Sequence, residues 1–177
     1  MEPRSEVMDA IETRRSCRAY EGRQVEFDKV EDVIAAGTWA PSGMGRQPCH
    51  FVVLQDPDQI KRLSAMNAKI MGSTGDPFYG APTVVVVLVD PSVPTCVEDG
   101  SLALGSMMLE AHNLGLGSCW IHRAHEEFDS AEGKALLKEW GVEGDWRGVG
   151  HCLLGYAAEH GEKTPAPRKG DSVTYVR

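Results

Sequence analysis

Thr83-Val84-Val85-Val86-Val87-Leu88-Val89 carries six apolar residues in succession, four of them consecutive valines. The length is that of a strand, and β-branched side chains favour one. A strand with one wet face alternates apolar and polar residues. This one does not, so it reads as buried on both faces. Val97 to Leu114 follows as a long helix, whose Leu102, Ala103, Leu104, Met107, Met108, Leu109 and Ala111 cover most of the circumference. A helix apolar nearly all round belongs inside something larger than a two-layer domain, which in 177 residues points to a dimer core.

Toward the N-terminus, Val7, Met8 and Ile11 share a helical face, so residues 6–15 read as a first helix. Phe27, Val30, Val33 and Ile34 mark a second, with Gly37 as its stop. Ala40 to Pro48 is a loop and His50 to Leu54 a strand. Asp56-Pro57 opens a third helix, with Asp as N-cap and Pro at its first position. Gly72 to Pro82 is a loop rich in Gly and Pro. Beyond the long helix, Ser118 to Ile121 reads as a short strand. Asp129-Ser130-Ala131-Glu132 is a capped start for a helix that ends near Trp140-Gly141. His151 to Tyr156 is a strand. The tail from Gly161 to Asp171 is polar, and Val173-Thr174-Tyr175-Val176 suits a last strand that pairs with a second subunit.

Residues 1–177 have room for one domain with a sizeable core. A net charge of −8 speaks against a nucleic-acid partner, whose binders are more often basic. No apolar stretch approaches membrane-span length and no signal-peptide core is present, so no membrane partner is expected and the expected location is the cytoplasm. Cys17, Cys49, Cys96, Cys119 and Cys152 are odd in number and form no C-x-x-C, which fits a reduced chain.

Three polar clusters stand out. In Arg14-Arg15-Ser16-Cys17-Arg18, an extended backbone points Arg14, Ser16 and Arg18 the same way. Two guanidinium groups and a hydroxyl then suit a phosphate; the other reading is a solvated basic helix end. In Ala40-Pro41-Ser42-Gly43-Met44-Gly45-Arg46-Gln47-Pro48, the glycines permit close approach to a flat ligand and Ser42 and Gln47 offer hydrogen bonds; the other reading is a plain helix-to-strand connection. Pro165-Ala166-Pro167-Arg168-Lys169 puts two cations on a stiff arm or an exposed linker. Gly115-Leu116-Gly117 begins like a dinucleotide loop, but it follows a helix and has Trp120 where the third glycine belongs. Cys119, His122 and His125 lack the ligand count of a metal site. Neither a hydrolase elbow nor a P-loop is present.

Taken in order and spacing, these pieces resemble the FMN-dependent nitroreductase family from about Met8 to Lys169. The pieces are Arg14-Arg15-Ser16-x-Arg18, Ala40-Pro41-Ser42 with Gln47-Pro48, Ala81-Pro82 before the valine strand, and Glu98-Asp99 opening the helix that runs into Gly115 to Ile121. Gly155-Tyr156 and Pro167-Arg168-Lys169 complete the set. The resemblance implies an α+β fold with a central sheet flanked by helices, in an intertwined homodimer with C-terminal strand exchange and FMN at the interface. It implies that Arg14, Ser16 and Arg168 hold the FMN phosphate, with Arg15 and Lys169 nearby, and that Arg18 sits near N1 and the C2 carbonyl of the flavin. It implies that Pro41, Ser42, Gly43 and Gln47 come from the partner subunit, and that Trp120, Ile121 and His122 line the ring near N5, largely through backbone.

The implied reaction passes hydride from NADH or NADPH to flavin N5 and then to a small organic acceptor, in a ping-pong cycle without a side-chain nucleophile. Enone reduction, dehalogenation or flavin-dependent dehydrogenation on the same scaffold stand beside nitroaromatic or quinone reduction. So does an FMN-binding protein without turnover, or a module that keeps the fold and has lost the site. Gly45-Arg46 and Cys49 depart from the family pattern, Arg46 suits an anionic substrate or cofactor, and the loop from Gly72 to Tyr79 is a candidate substrate lid or wall.

Overall fold

A computed structural model of the chain describes residues 5–177. Four strands form one antiparallel sheet: β1 (Cys49–Leu54), β2 (Thr83–Val89), β3 (Gly117–Ile121) and β4 (Arg147–Gly155), in the order β1-β2-β4-β3. Six helices flank it: α1 (Glu6–Thr13), α2 (Phe27–Thr38), α3 (Pro57–Met71), α4 (Cys96–Asn113), α5 (Ala124–Asp129) and α6 (Ala131–Glu139). The fold is the α+β arrangement expected.

Every residue of β2 is buried. Val84, Val86 and Leu88 enter one core with Leu63 of α3, Phe128 of α5 and Leu136 of α6. Val85, Val87 and Val89 enter the other with Val33 of α2 and Leu104 and Met107 of α4. The alternation of strand side chains divides the valine run between two layers, and the sheet becomes the middle of three.

The local signals operate as chemistry predicts. Asp56 caps α3 by accepting from Asp58 N and Gln59 N, with Pro57 following at the first position. Ser130 caps α6 by accepting from Gly133 N. Gly37, expected as a stop, lies inside α2, which runs on to Thr38. It serves packing instead, because a Cβ there would lie 2.9 Å from Met107 Cγ. α4 buries one stripe, with Ala103, Leu104, Met107 and Ala111 inside and Leu102 49% exposed. The apolar face of α1 is likewise exposed at Val7, Met8 and Ile11. Within this single chain, residues 173–176 form no strand.

One hydrogen-bonded glutamate–histidine pair sits fully inside the α3–α5–α6 layer. Glu127 Oε2 lies 2.5 Å from His151 Nε2, with both side chains inaccessible to solvent. Phe78 lies tilted against the imidazole and Phe128 meets it edge-on, at centroid distances of 5.2 and 6.3 Å. The pair ties α5 to the middle of β4. Removing one member strands the other without water. Glu127→Ala is expected to cost about 3–5 kcal/mol in urea unfolding. The paired replacement Glu127→Leu with His151→Leu is expected to restore most of that loss.

Candidate functional site

The chain leaves α1 at Arg14, whose backbone turns extended (φ −54°, ψ 134°). The next residues run along the free edge of β3. Ser16 forms a parallel bridge with Ser118, and Cys17 N donates to Ser118 O at 2.8 Å. On the other side Arg18 N donates to Gly161 O at 2.8 Å, and Cys17 pairs with Glu162. The buried thiol of Cys119 lies within electrostatic reach of Arg18, Ser16 and Arg14. Burial pushes its pKa up, while Arg18, the Ser16 hydroxyl and Arg14 act against that rise. Nη1 of Arg14 is buried without a hydrogen-bond partner, as is Oγ of neighbouring Ser118. Among the described residues no carboxylate pairs with Arg14 or Arg18.

Arg15 turns away from this point. Its Nη1 donates to Glu12 O at 2.7 Å and to Arg14 O at 2.6 Å, closing the end of α1. Arg168 and Lys169 are exposed on the tail, whose root at Gly161 and Glu162 is tied beside Arg18.

At the far end of β3, the side chains alternate: Cys119 and Ile121 enter one core, while Trp120 packs toward the other, over Gly150. His122 is exposed and Arg123 sits at φ 80°, a left-handed conformation unusual for a residue with a side chain. Asn67 of α3 clamps this turn. It is fully buried; its Nδ2 donates to His122 O at 2.9 Å and its Oδ1 accepts from Arg123 Nε at 2.9 Å. The family resemblance allows Asn67 a contact with the pyrimidine edge of the flavin but gives no sign of this clamp, and Arg123 carries no sequence signal as a site residue. The left-handed turn has no glycine to announce it, and the clamp joins positions 55 and 56 residues apart.

The loop with Pro41, Ser42, Gly43 and Gln47 lies elsewhere. Ser42 Oγ accepts from Gln47 N at 3.0 Å, and Gly43 N donates to Asp99 Oδ1 at 2.9 Å. The loop leads into Cys49, which pairs with the last residue of β2 at the outer edge of β1. Ser118 pairs with Leu154, and Leu154 with the first residue of β2. The loop and the Arg14–Arg18 segment therefore occupy opposite corners of the sheet, about 20 Å apart along the strands and about 14 Å across them. One chain does not bring them together.

Burial pushes the Cys17 thiol up, that of Cys49 to about 11 and that of Cys152 to about 12. These thiols stay protonated near neutral pH and are poor nucleophiles. The described residues contain no group of three or more His, Cys, Asp or Glu able to hold a metal. A cavity of about 830 Å³ opens between α3 and residues 73–82, so that loop is a wall, with Gln24, Gln55, Lys61 and Phe78 also lining it. Asp76 orders the loop by accepting from Ser64 Oγ, Phe78 N and Gly80 N. None of the sequence-predicted site residues lines that cavity.

The Nitroreductase family model matches residues 11–77 and 72–156. Proteins named for NADH dehydrogenase and NAD(P)H nitroreductase activities are 30% identical over 119 residues in Methanothermobacter thermautotrophicus and 33% identical over 121 residues in Archaeoglobus fulgidus. These alignments cover 65% and 66% of this chain, and 60% and 67% of the relatives' lengths. A crystal structure of a Bacteroides fragilis nitroreductase with bound FMN superposes with a TM-score of 0.91 at 30% identity, over 98% of this chain and all of that one.

The Asn67 clamp carries its own expectation. Asn67→Leu leaves His122 O and Arg123 Nε without their partner, and is expected to destabilise the fold by about 1–3 kcal/mol. Hydrogen exchange is expected to accelerate at residues 122–124 before the rest of the sheet. Unchanged protection there would remove the clamp.

Proposed function

This chain belongs to the nitroreductase family, and we propose that it is an FMN-dependent oxidoreductase that takes hydride from NADH or NADPH and reduces a small organic acceptor. The observation that carries this reading is the buried, unpartnered Nη1 of Arg14 beside Ser16 and Arg18. A solvated helix end would leave that nitrogen in water. Buried and unpaired, it costs about 1–3 kcal/mol, which a phosphate oxygen offsets. Arg168 and Lys169 add positive charge from a tail rooted at the same segment. The FMN phosphate fits this cluster.

FMN, when bound, supplies hydride transfer at N5, which asks no side chain for a nucleophile. The work left to the chain is to hold and orient. Arg14 and Ser16 hold the phosphate, Arg18 places a cation beside the pyrimidine of the flavin, and the backbone of Trp120 to His122 lines the ring. Raised thiol pKa values agree with a site that uses no cysteine. The acceptor is a nitroaromatic, quinone or similar molecule.

The second half of the site comes from a second copy. Pro41, Ser42, Gly43 and Gln47 stand at the opposite corner of their own sheet. Within the described chain the outer edge of β1 has no strand partner, and Val173 and Tyr175 alternate with Thr174 on an exposed tail. The exposed faces of α1 and α4 complete the argument for a homodimer with exchanged C-terminal strands, each chain acting as one FMN-binding domain. All five cysteines are unpaired, which suits a reducing cytoplasm.

The purified protein is expected to be yellow, or to become so with added FMN, and to bleach anaerobically with NADH or NADPH. Initial rates against donor and acceptor are expected to give parallel double-reciprocal lines. A protein colourless after FMN addition overturns the reading. One that binds FMN but is not reduced by either nicotinamide is a flavin carrier. Arg18→Ala is expected to weaken FMN binding about 10- to 100-fold, as loss of a charge-assisted contact does, and to lower the flavin potential. A stop after Asp171 is expected to yield monomers in light scattering, with weakened FMN binding.

A further inference from the structure

Asp99 is a carboxylate in the first turn of α4, only 4% exposed, and no cation pairs with it among the described residues. Both oxygens are used on neutral donors. Oδ1 accepts from Gly43 N at 2.9 Å and Oδ2 from Thr95 Oγ1 at 2.9 Å. An ordinary capping side chain bonds the amides of its own helix. Here Thr95 holds the N-cap position yet makes no capping bond with its hydroxyl, which is directed to Asp99 instead. Oδ1 reaches a loop 56 residues earlier in sequence. The positive end of the α4 dipole makes this a tolerable place for an unpaired carboxylate.

The loop needs such a fixture. Met44, Gly45 and Gln47 all have positive φ (56°, 65° and 49°), and two of them carry side chains. Conformations of this kind persist where the surroundings determine them. Inside the loop, the described hydrogen bonds of Ser42 Oγ with Gln47 N and of Gly45 N and Arg46 N close a single turn. The Asp99 bond is what attaches that turn to a helix. Gly43 is held closely: a Cβ at that position would lie 2.3 Å from Thr95 Oγ1.

We infer that Asp99 is a positioning residue for the cofactor site of the opposite subunit: it fixes Gly43, and through Gly43 the backbone that Ser42 to Gln47 present across the interface. The inference rests on the flavin reading above. It makes Asp99 important to a ligand that it never touches, and in a subunit other than its own. An amide at position 99 keeps an acceptor for Gly43 N and a donor for the Thr95 hydroxyl; a methyl keeps neither.

The test is FMN titration of intact dimers by quenching of flavin fluorescence. Asp99→Ala is expected to raise the dissociation constant about tenfold or more, whereas Asp99→Asn is expected to stay near the wild-type value, as preserved hydrogen bonding predicts. A mixed dimer then assigns the subunit. One chain carries Asp99→Ala and the other carries Arg14→Ala with Arg18→Ala, each with its own affinity tag. Both parent homodimers are expected to bind weakly, and the mixed dimer to recover one tight flavin per pair of chains. A mixed dimer without a tight site overturns the assignment across the interface. Asp99→Ala with wild-type affinity overturns the positioning role. If Asp99→Ala does not fold, Gly43→Ala takes its place in the mixed dimer, displacing the loop by its contact with Thr95 and leaving the carboxylate intact. A wild-type protein that binds no FMN sinks the flavin reading itself, a result separate from either failure of Asp99.

Discussion

The complete burial of β2 constrains everything packed around it. A strand with an apolar side chain at almost every position has no face to offer water, so helices must cover both sides of the sheet. α3, α5 and α6 take one side, and α2 and α4 the other. With both faces covered, access to the sheet remains at its edges and ends. The polar clusters stand there: Arg14–Arg18 along the edge of β3, and the Ser42–Gln47 loop beyond the start of β1.

On the flavin reading proposed above, this placement leaves one chain with only half of a site. The sheet register puts the two clusters at diagonal corners, and the core between them is packed solid with Val85, Val87, Leu104 and Met107. No hinge within so dense a layer closes the gap. In the dimer proposed above, a second copy would close it without deforming either chain. The same step would cover the exposed apolar residues of α1 and α4 and give the tail a strand to pair with. Exposed apolar surface, an open sheet edge and a divided polar site thus have one common remedy. The unpaired charge of Arg14 fits the same picture, since the net charge is −8 and yet no carboxylate among the described residues is directed to that guanidinium.

Legibility in the sequence followed the range of the interaction. β2, the Asp56 and Ser130 caps and the extended backbone that follows α1 were readable because each rests on neighbours within a few residues. Gly37 was read as a helix stop, a local role, when its cause is Met107 on another helix. α5 escaped notice because six residues make too short a period to see, and its anchor is His151 on a distant strand. Asn67 and Asp99 act across 55 and 56 residues respectively, and nothing beside either in sequence marks its partner. The family resemblance is what groups the polar clusters into one proposed site, and the sheet register shows that they stand at opposite corners of a single chain.

Long-range fixtures of this kind bear on what the site selects. Four thiols with raised pKa values and no metal-binding cluster among the described residues leave little for side chains to do chemically. Selectivity must then come from shape and from where backbone groups stand. Two fixtures set those positions: the buried amide of Asn67 at the His122–Arg123 turn, and the buried carboxylate of Asp99 at the Gly43 loop. Each is rigid because it is dry, since a buried polar group without its partner is too costly to populate. Substitutions at exposed residues of the loop, such as Met44 or Arg46, leave both fixtures standing. On the flavin reading proposed above, such substitutions would alter the loop's surface while leaving in place the backbone that the two fixtures hold.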